Sequence, residues 1–147
     1  MKPPTISSIL IVDDTHENLK ILGNILTGQG YKVAFADSGL QCLQIARKII
    51  PDLILLDIAM AGIDGFETCQ RLKEESATSE IPIIFLTAKT GSTDIVKSLD
   101  IGAIDYVAKP FNNRELLSRV KNHIEFKRNR ELLEKEVEQR KAAQKKL

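Results

Sequence analysis

The chain has 147 residues, of which 43% are hydrophobic and 28% charged, which is enough for one ordinary domain with a real core and excludes both a disordered chain and a disulfide-stapled miniature. Its formal net charge is +1, so no global basic field marks DNA, RNA or anionic lipid as a partner, and any binding must come from a local site.

From the amino terminus onward, MKPPTISS lacks the apolar core of a signal peptide. No apolar run anywhere approaches the ~18 residues of a membrane span. A soluble, cytoplasmic fragment with no membrane partner is expected. Short apolar runs then alternate with longer amphipathic stretches, the pattern of parallel strands buried on both faces and joined by crossover helices. The first strand is expected over Ser8 to Val12, followed at once by Asp13 and Asp14, and the first helix over Glu17 to Thr27, stopped by Gly28 and Gly30. A second strand, Lys32 to Ala36, ends on Asp37, and a second helix, Leu40 to Ile49, is ended by Pro51. The third strand, Leu53 to Leu56, runs into Asp57, and a helix follows over Phe66 to Glu75. Pro82 opens a fourth strand, Ile83 to Leu86, which leads to Thr87, and a helix is expected over Asp94 to Asp100. The fifth strand, Ile104 to Val107, is followed closely by Lys109.

Asn112 with Glu115 resembles a capping box for a last helix from Arg114. Neither Gly nor Pro occurs from there to Leu147, so helix could continue for roughly 50 Å at 1.5 Å per residue. The composition turns to Glu, Lys, Arg and Gln after Phe126, which divides the chain into a globular unit, 1–126, and a helical extension, 127–147. Cys42 and Cys69 stand far apart without metal-ligand spacing and are expected to be small buried hydrophobes.

Five alternating units predict an α/β, flavodoxin-like, doubly wound five-stranded parallel sheet with order 2-1-3-4-5 and an extended C-terminal helix. Such sheets bind ligands at the carboxyl ends of their strands, where the first and third lie side by side. Asp13, Asp14 and Asp57 should therefore converge. Three carboxylates in one pocket raise one another's pKa unless a cation neutralises them. With oxygen ligands only, the cation expected is a hard one, and Mg²⁺ fits because it takes one or two carboxylates and completes its shell with water and phosphate oxygens. Lys109 supplies a compact positive charge and Thr87 a hydroxyl donor, so the set describes phosphoryl transfer to a carboxylate.

Four segments in this order, IVDD at 11–14, LLDIAMAGIDG at 55–65, FLTAK at 85–89 and DYVAKPF at 105–111, resemble the receiver domains of bacterial two-component response regulators over roughly residues 8–126. The resemblance implies a phosphorylation-dependent switch with Asp57 as phosphoacceptor, Asp13 and Asp14 as the acidic metal pair, and the backbone carbonyl of Ala59 as a further Mg²⁺ ligand. It also implies Lys109 on the phosphoryl group, Thr87 and Tyr106 as the switch pair, and a cis bond between Lys109 and Pro110. The phosphodonor would be a histidine kinase or phosphotransfer protein, and the only catalysis the chain's own phosphorylation and dephosphorylation. Ala61 departs from the proline usual in the loop after the acceptor, while Ala59 and Lys89 occupy positions that modulate dephosphorylation in this family. The alternatives are an aspartate-nucleophile phosphatase, which lacks its second aspartate because Ala59 stands there, and a flavodoxin-like FMN carrier, whose phosphate Asp13 and Asp14 would repel. His16 and His123 sit in no kinase-like box and are expected at the surface.

In the extension, Leu133, Val137, Arg140, Gln144 and Leu147 fall on an alternating four-three spacing. That predicts a weak coiled-coil seam, a homodimer through the last helix, and a linker to an output domain, with the effector expected beyond Leu147 or on another chain. A solvated helix held by pairs such as Glu131 with Lys135 is the alternative.

Overall fold

The computed structural model describes residues 6–87, 97 and 100–145. Five parallel strands, β1 (Ser8–Val12), β2 (Lys32–Ala36), β3 (Leu53–Asp57), β4 (Ile83–Thr87) and β5 (Asp105–Ala108), form one sheet in the order β2-β1-β3-β4-β5. This is the expected order. Four helices are described: α1 (His16–Thr27), α2 (Gly39–Ile49), α3 (Gly65–Glu74) and α4 (Asn113–Lys145). The helix expected over 94–100 lies outside the described residues except for Lys97 and Asp100, which are helical, and Lys89 and Leu147 lie outside them as well.

The inner strands β1, β3 and β4 are buried on both faces because helices cover both. Leu10, Val12, Ile54, Leu56, Ile83 and Phe85 pack with Cys42, Leu43 and Ala46 of α2 and Cys69 and Leu72 of α3. The alternate residues Ile9, Ile11, Leu53, Leu55, Ile84 and Leu86 pack with Leu19, Leu22 and Leu26 of α1 and Leu116, Val120 and Ile124 of α4. Period-two alternation thus feeds two half-cores, the signature of a doubly wound sheet. Both cysteines are free and buried, as expected.

The element ends differ from the sequence reading where backbone pairing or capping decides them. Asp57 and Thr87 are the last residues of β3 and β4, because Asp57 pairs with Leu86 and Thr87 with Ala108. β5 starts at Asp105, which pairs with Ile84, and Ile104 precedes it. Ser38 caps α2 by accepting the Gln41 amide, and Asp64 caps α3 by accepting that of Glu67, so these helices begin at Gly39 and Gly65. Asn112 accepts the Glu115 amide at 3.1 Å, half of the expected capping box, while the Glu115 carboxylate turns to Arg119.

Helix α4 continues unbroken for 33 residues. Its core-facing side ends with Ile124, and Phe126, Leu132, Leu133 and Val137 are exposed. Three contacts tie the first turn beyond the core to the body: Lys127 with Asp52 at 3.3 Å, Arg130 with Glu80 at 3.5 Å, and Arg128 with the Ser7 hydroxyl. Among the described residues, no helix is long and apolar enough to cross a membrane.

Candidate functional site

Pairing of Val12 with Leu56 across β1 and β3 brings Asp13 and Asp57 to the same edge of the sheet. Asp13, Asp14 and Asp57 each offer a carboxylate oxygen within 4.8 Å of the others. Asp13 is fully buried and Asp57 nearly so, whereas Asp14 faces solvent and marks the mouth of the cleft. Lys109 joins them from beyond β5, its Nζ donating to Asp57 Oδ1 at 3.1 Å and to Asp13 Oδ2 at 3.2 Å. The carboxylates outnumber the ammonium three to one, an excess that a hard divalent cation would neutralise.

The acceptor carboxyl carries the cost of this crowding. Burial pushes the Asp57 pKa up from its ordinary 3.8 to about 6, Asp13 adds to the rise, Lys109 opposes it and Asp14 adds a little. Burial alone would lower the pKa of Lys109, yet Asp57 and Asp13 together raise it above its ordinary value, which keeps the ammonium charged.

The turn leaving β3 is built around two glycines. Gly62 has φ +78°, a conformation costly for a residue with a Cβ. At Gly65 a Cβ would lie 2.3 Å from the Asp57 carbonyl oxygen and 2.7 Å from Ile58 Cα, so only glycine lets the start of α3 press on the end of the acceptor strand. The Gly65 amide seals that approach by donating to the Ile58 carbonyl at 2.8 Å. The same turn holds Ala59, exposed two residues past Asp57, and the Ala61 amide, which reaches Asp14 Oδ2 at 3.4 Å.

Thr87 ends β4 as a buried residue one strand from Asp57, and its carbonyl accepts the Lys109 amide at 2.7 Å. Tyr106 is half-buried against the cluster containing Phe85, and the Arg119 guanidinium lies over its ring at 5.6 Å from the centroid. The Lys109–Pro110 bond is cis, as the resemblance implied.

The structure therefore brings Asp13, Asp14, Asp57 and Lys109 into one cluster and places Thr87 beside it. Asp37 stays out, exposed beyond the edge strand, with its amide donating to Gln41 Oε1 at 2.6 Å. Two donors escaped the sequence reading: the Thr15 amide at 2.9 Å from Asp13 Oδ1, and Asn18 Nδ2 at 3.1 Å from Asp13 Oδ2. The available signal was a polar residue in the first turn of α1, five positions past Asp13. His16 is exposed as expected, but His123 is half-buried, because its Nε2 meets Asp105 Oδ2 at 2.9 Å. A groove of about 520 Å³ lined by Pro82, Ile104, His123 and Phe126 lies at the opposite end of the sheet, away from the carboxylates.

Comparison with known proteins agrees with this geometry. The family model described as "Response regulator receiver domain" matches residues 9–121. The chain is 38% identical over 135 residues to the response regulator PleD of Caulobacter vibrioides, covering 92% of this chain and 29% of that protein. It is 41% identical to the DNA-binding response regulator MtrA of Mycobacterium tuberculosis over 77% of this chain and 48% of that one. The chain thus spans less than half the length of these relatives. Among solved structures, the chemotaxis response regulator CheY4 of Vibrio cholerae superposes with a TM-score of 0.77 at 29% identity, over 81% of this chain and 99% of that one. The receiver domain of the sensor histidine kinase PA1611 from Pseudomonas aeruginosa, solved with a magnesium ion in its active-site cleft, gives 0.76 at 30% identity, over 82% and 98%.

Proposed function

The chain belongs to the response regulator receiver domain family, and from that premise we propose that it is a phosphorylation-dependent switch that accepts a phosphoryl group on Asp57 from a histidine kinase or a phosphotransfer protein. The observation that carries the reading is the Lys109 ammonium bridging two buried carboxylates at the carboxyl edge of β1 and β3. An Asp57 carboxylate oxygen attacks the phosphorus, the bond from phosphorus to the donor nitrogen breaks, and the donor imidazole leaves with the electron pair.

The residues present suit Mg²⁺: three carboxylates with oxygen donors only, one of them open to solvent. Asp13, Asp14, Asp57 and the Ala59 carbonyl would hold it. When bound, the ion would supply positive charge to the phosphoryl oxygens. Lys109 turns its ammonium to the phosphoryl group and offsets the charge there. Thr87 donates its hydroxyl to a phosphoryl oxygen and leaves room for Tyr106 to move inward, so phosphorylation shifts a pre-existing equilibrium at β5 and α4. Apart from its own phosphorylation and dephosphorylation the domain performs no chemistry, and it works in the cytoplasm as unit 1–126. The extension, 127–147, pairs with its copy in a homodimer and links to an output domain.

Treatment with a small acyl-phosphate donor followed by intact-mass measurement tests the reading. A phosphoryl adduct is expected in the presence of Mg²⁺ and absent in Asp57→Asn or in chelator. An adduct that persists in either case refutes it.

A further inference from the structure

We propose that Asn18 is a positioning residue of the ion site, its side-chain amide holding the Asp13 carboxylate in the orientation that receives the cation. The proposal rests on the Mg²⁺ reading given above. Asp13 is fully buried and takes three donors among the described residues: the Thr15 amide at 2.9 Å on Oδ1, and Asn18 Nδ2 at 3.1 Å and Lys109 Nζ at 3.2 Å on Oδ2. The three differ in what they can do once the site is charged. Thr15 holds only the first oxygen. Lys109 divides its ammonium between Asp13 and Asp57 and is repelled by an arriving cation, so its hold on Oδ2 is the one that lapses. Asn18 then remains as the side-chain donor to Oδ2, and without it the carboxylate is tied at one oxygen and can turn about its Cβ–Cγ bond.

An amide suits this role by its charge as well as its reach. A lysine or arginine at the same place would neutralise Asp13 and oppose the ion, whereas a neutral amide orients the carboxylate and leaves its charge intact. The base of the donor is rigid, because Asn18 is half-buried in the first turn of α1, which Leu19 and Leu22 anchor to the core. Partners that orient a metal ligand commonly contribute 10–100-fold to affinity, and with Thr15 still in place the lower end, about tenfold, is expected here.

The test titrates Mg²⁺ alone, without phosphodonor, into the full chain and reads the dissociation constant by calorimetry or amide shifts. Asn18→Leu keeps the branched outline and loses the donor, while Asn18→Gln keeps an amide on a longer arm. Asn18→Leu should weaken Mg²⁺ binding about tenfold, with Asn18→Gln between it and the wild type. The phosphorylation rate of Asn18→Leu should recover to within about twofold at saturating Mg²⁺, the split expected when affinity alone is lost, whatever the lost donor to buried Asp13 costs the metal-free fold. Binding by Asn18→Leu within about twofold of the wild type would overturn the proposal. So would weakened binding with no recovery of the phosphorylation rate at saturating Mg²⁺ and no recovery of affinity in Asn18→Gln, the pattern of a purely structural residue. A wild-type chain that binds no Mg²⁺ fails the underlying reading as well, an outcome distinct from wild type and variant binding alike.

Discussion

Neutralising the acceptor should stabilise the metal-free domain at neutral pH, and the gain should fade in acid. The Asp57 pKa rises from 3.8 to about 6 on folding, so between those values the folded state binds more protons than the unfolded one. Stability therefore falls as pH climbs through that window, and the full penalty is present above it. At 1.36 kcal/mol per pKa unit, a shift of about two units amounts to about 3 kcal/mol at pH 7.5, shrinking to about 1 kcal/mol at pH 4.5. Solvent reaching the cleft past Asp14 screens part of this, which leaves about 1–3 kcal/mol at pH 7.5. Asp57→Asn mimics the protonated carboxyl. In chelator it should raise stability at pH 7.5 by that amount, or roughly 2–4 °C per kcal/mol in a chain of this length. Urea unfolding of both proteins at pH 7.5 and 4.5, with chelator and with Mg²⁺, measures the difference. Mg²⁺ should favour the wild type and narrow the gap, since an ion that binds only the folded state stabilises it by mass action. An Asp57→Asn chain less stable than the wild type at pH 7.5 in chelator, or equally stabilised at both pH values, would refute the reasoning.

Lys109→Met removes the cation that opposes the Asp57 shift, so carbon-13 titration of the carboxyl should place its pKa above that of the wild type. Chelator-treated protein should also lose about 3 kcal/mol from the unpaired carboxylates. Gly65→Ala drives a Cβ to within 2.3 Å of backbone that cannot swing aside. It should cost about 3 kcal/mol, the upper end for overpacking, in a melting experiment, and should slow phosphorylation by displacing the end of β3. Thr87→Ala should accept phosphate yet lose the shift at β5 and α4, so amide shifts there that match the wild type would contradict the switch assignment. Leu133→Asp combined with Val137→Asp alters exposed positions and should change domain stability by no more than about 0.5 kcal/mol. It should abolish self-association in sedimentation, and an unchanged mass distribution would count against helix pairing.

Sequence and tertiary structure divide the site along physical lines. Strands buried on both faces are short, wholly apolar runs, so β3 and β4 were legible from residues 53–56 and 83–86 alone, and whatever follows such a run must lie at the carboxyl edge of the sheet. That logic, with the strand order, located Asp13, Asp14, Asp57 and Thr87. It also anticipated that three carboxylates would meet, as they do. The sequence could not supply distances that depend on loops and packing. That the Lys109 ammonium spans Asp13 and Asp57, 96 and 52 residues away, is decided by how the chain turns after β5. That Asn18 reaches Asp13 is decided by the angle at which α1 leaves the sheet. The one-residue displacement of β5 follows from its ladder with β4, which begins at the pair of Ile84 with Asp105, a boundary that backbone pairing decides and that residues 104–107 do not mark. The pull of Asp105 on His123, and the rise in the Asp57 pKa, likewise exist only once a folded core excludes water and brings distant charges together, since desolvation belongs to the packed interior and leaves no trace in a linear pattern of residues.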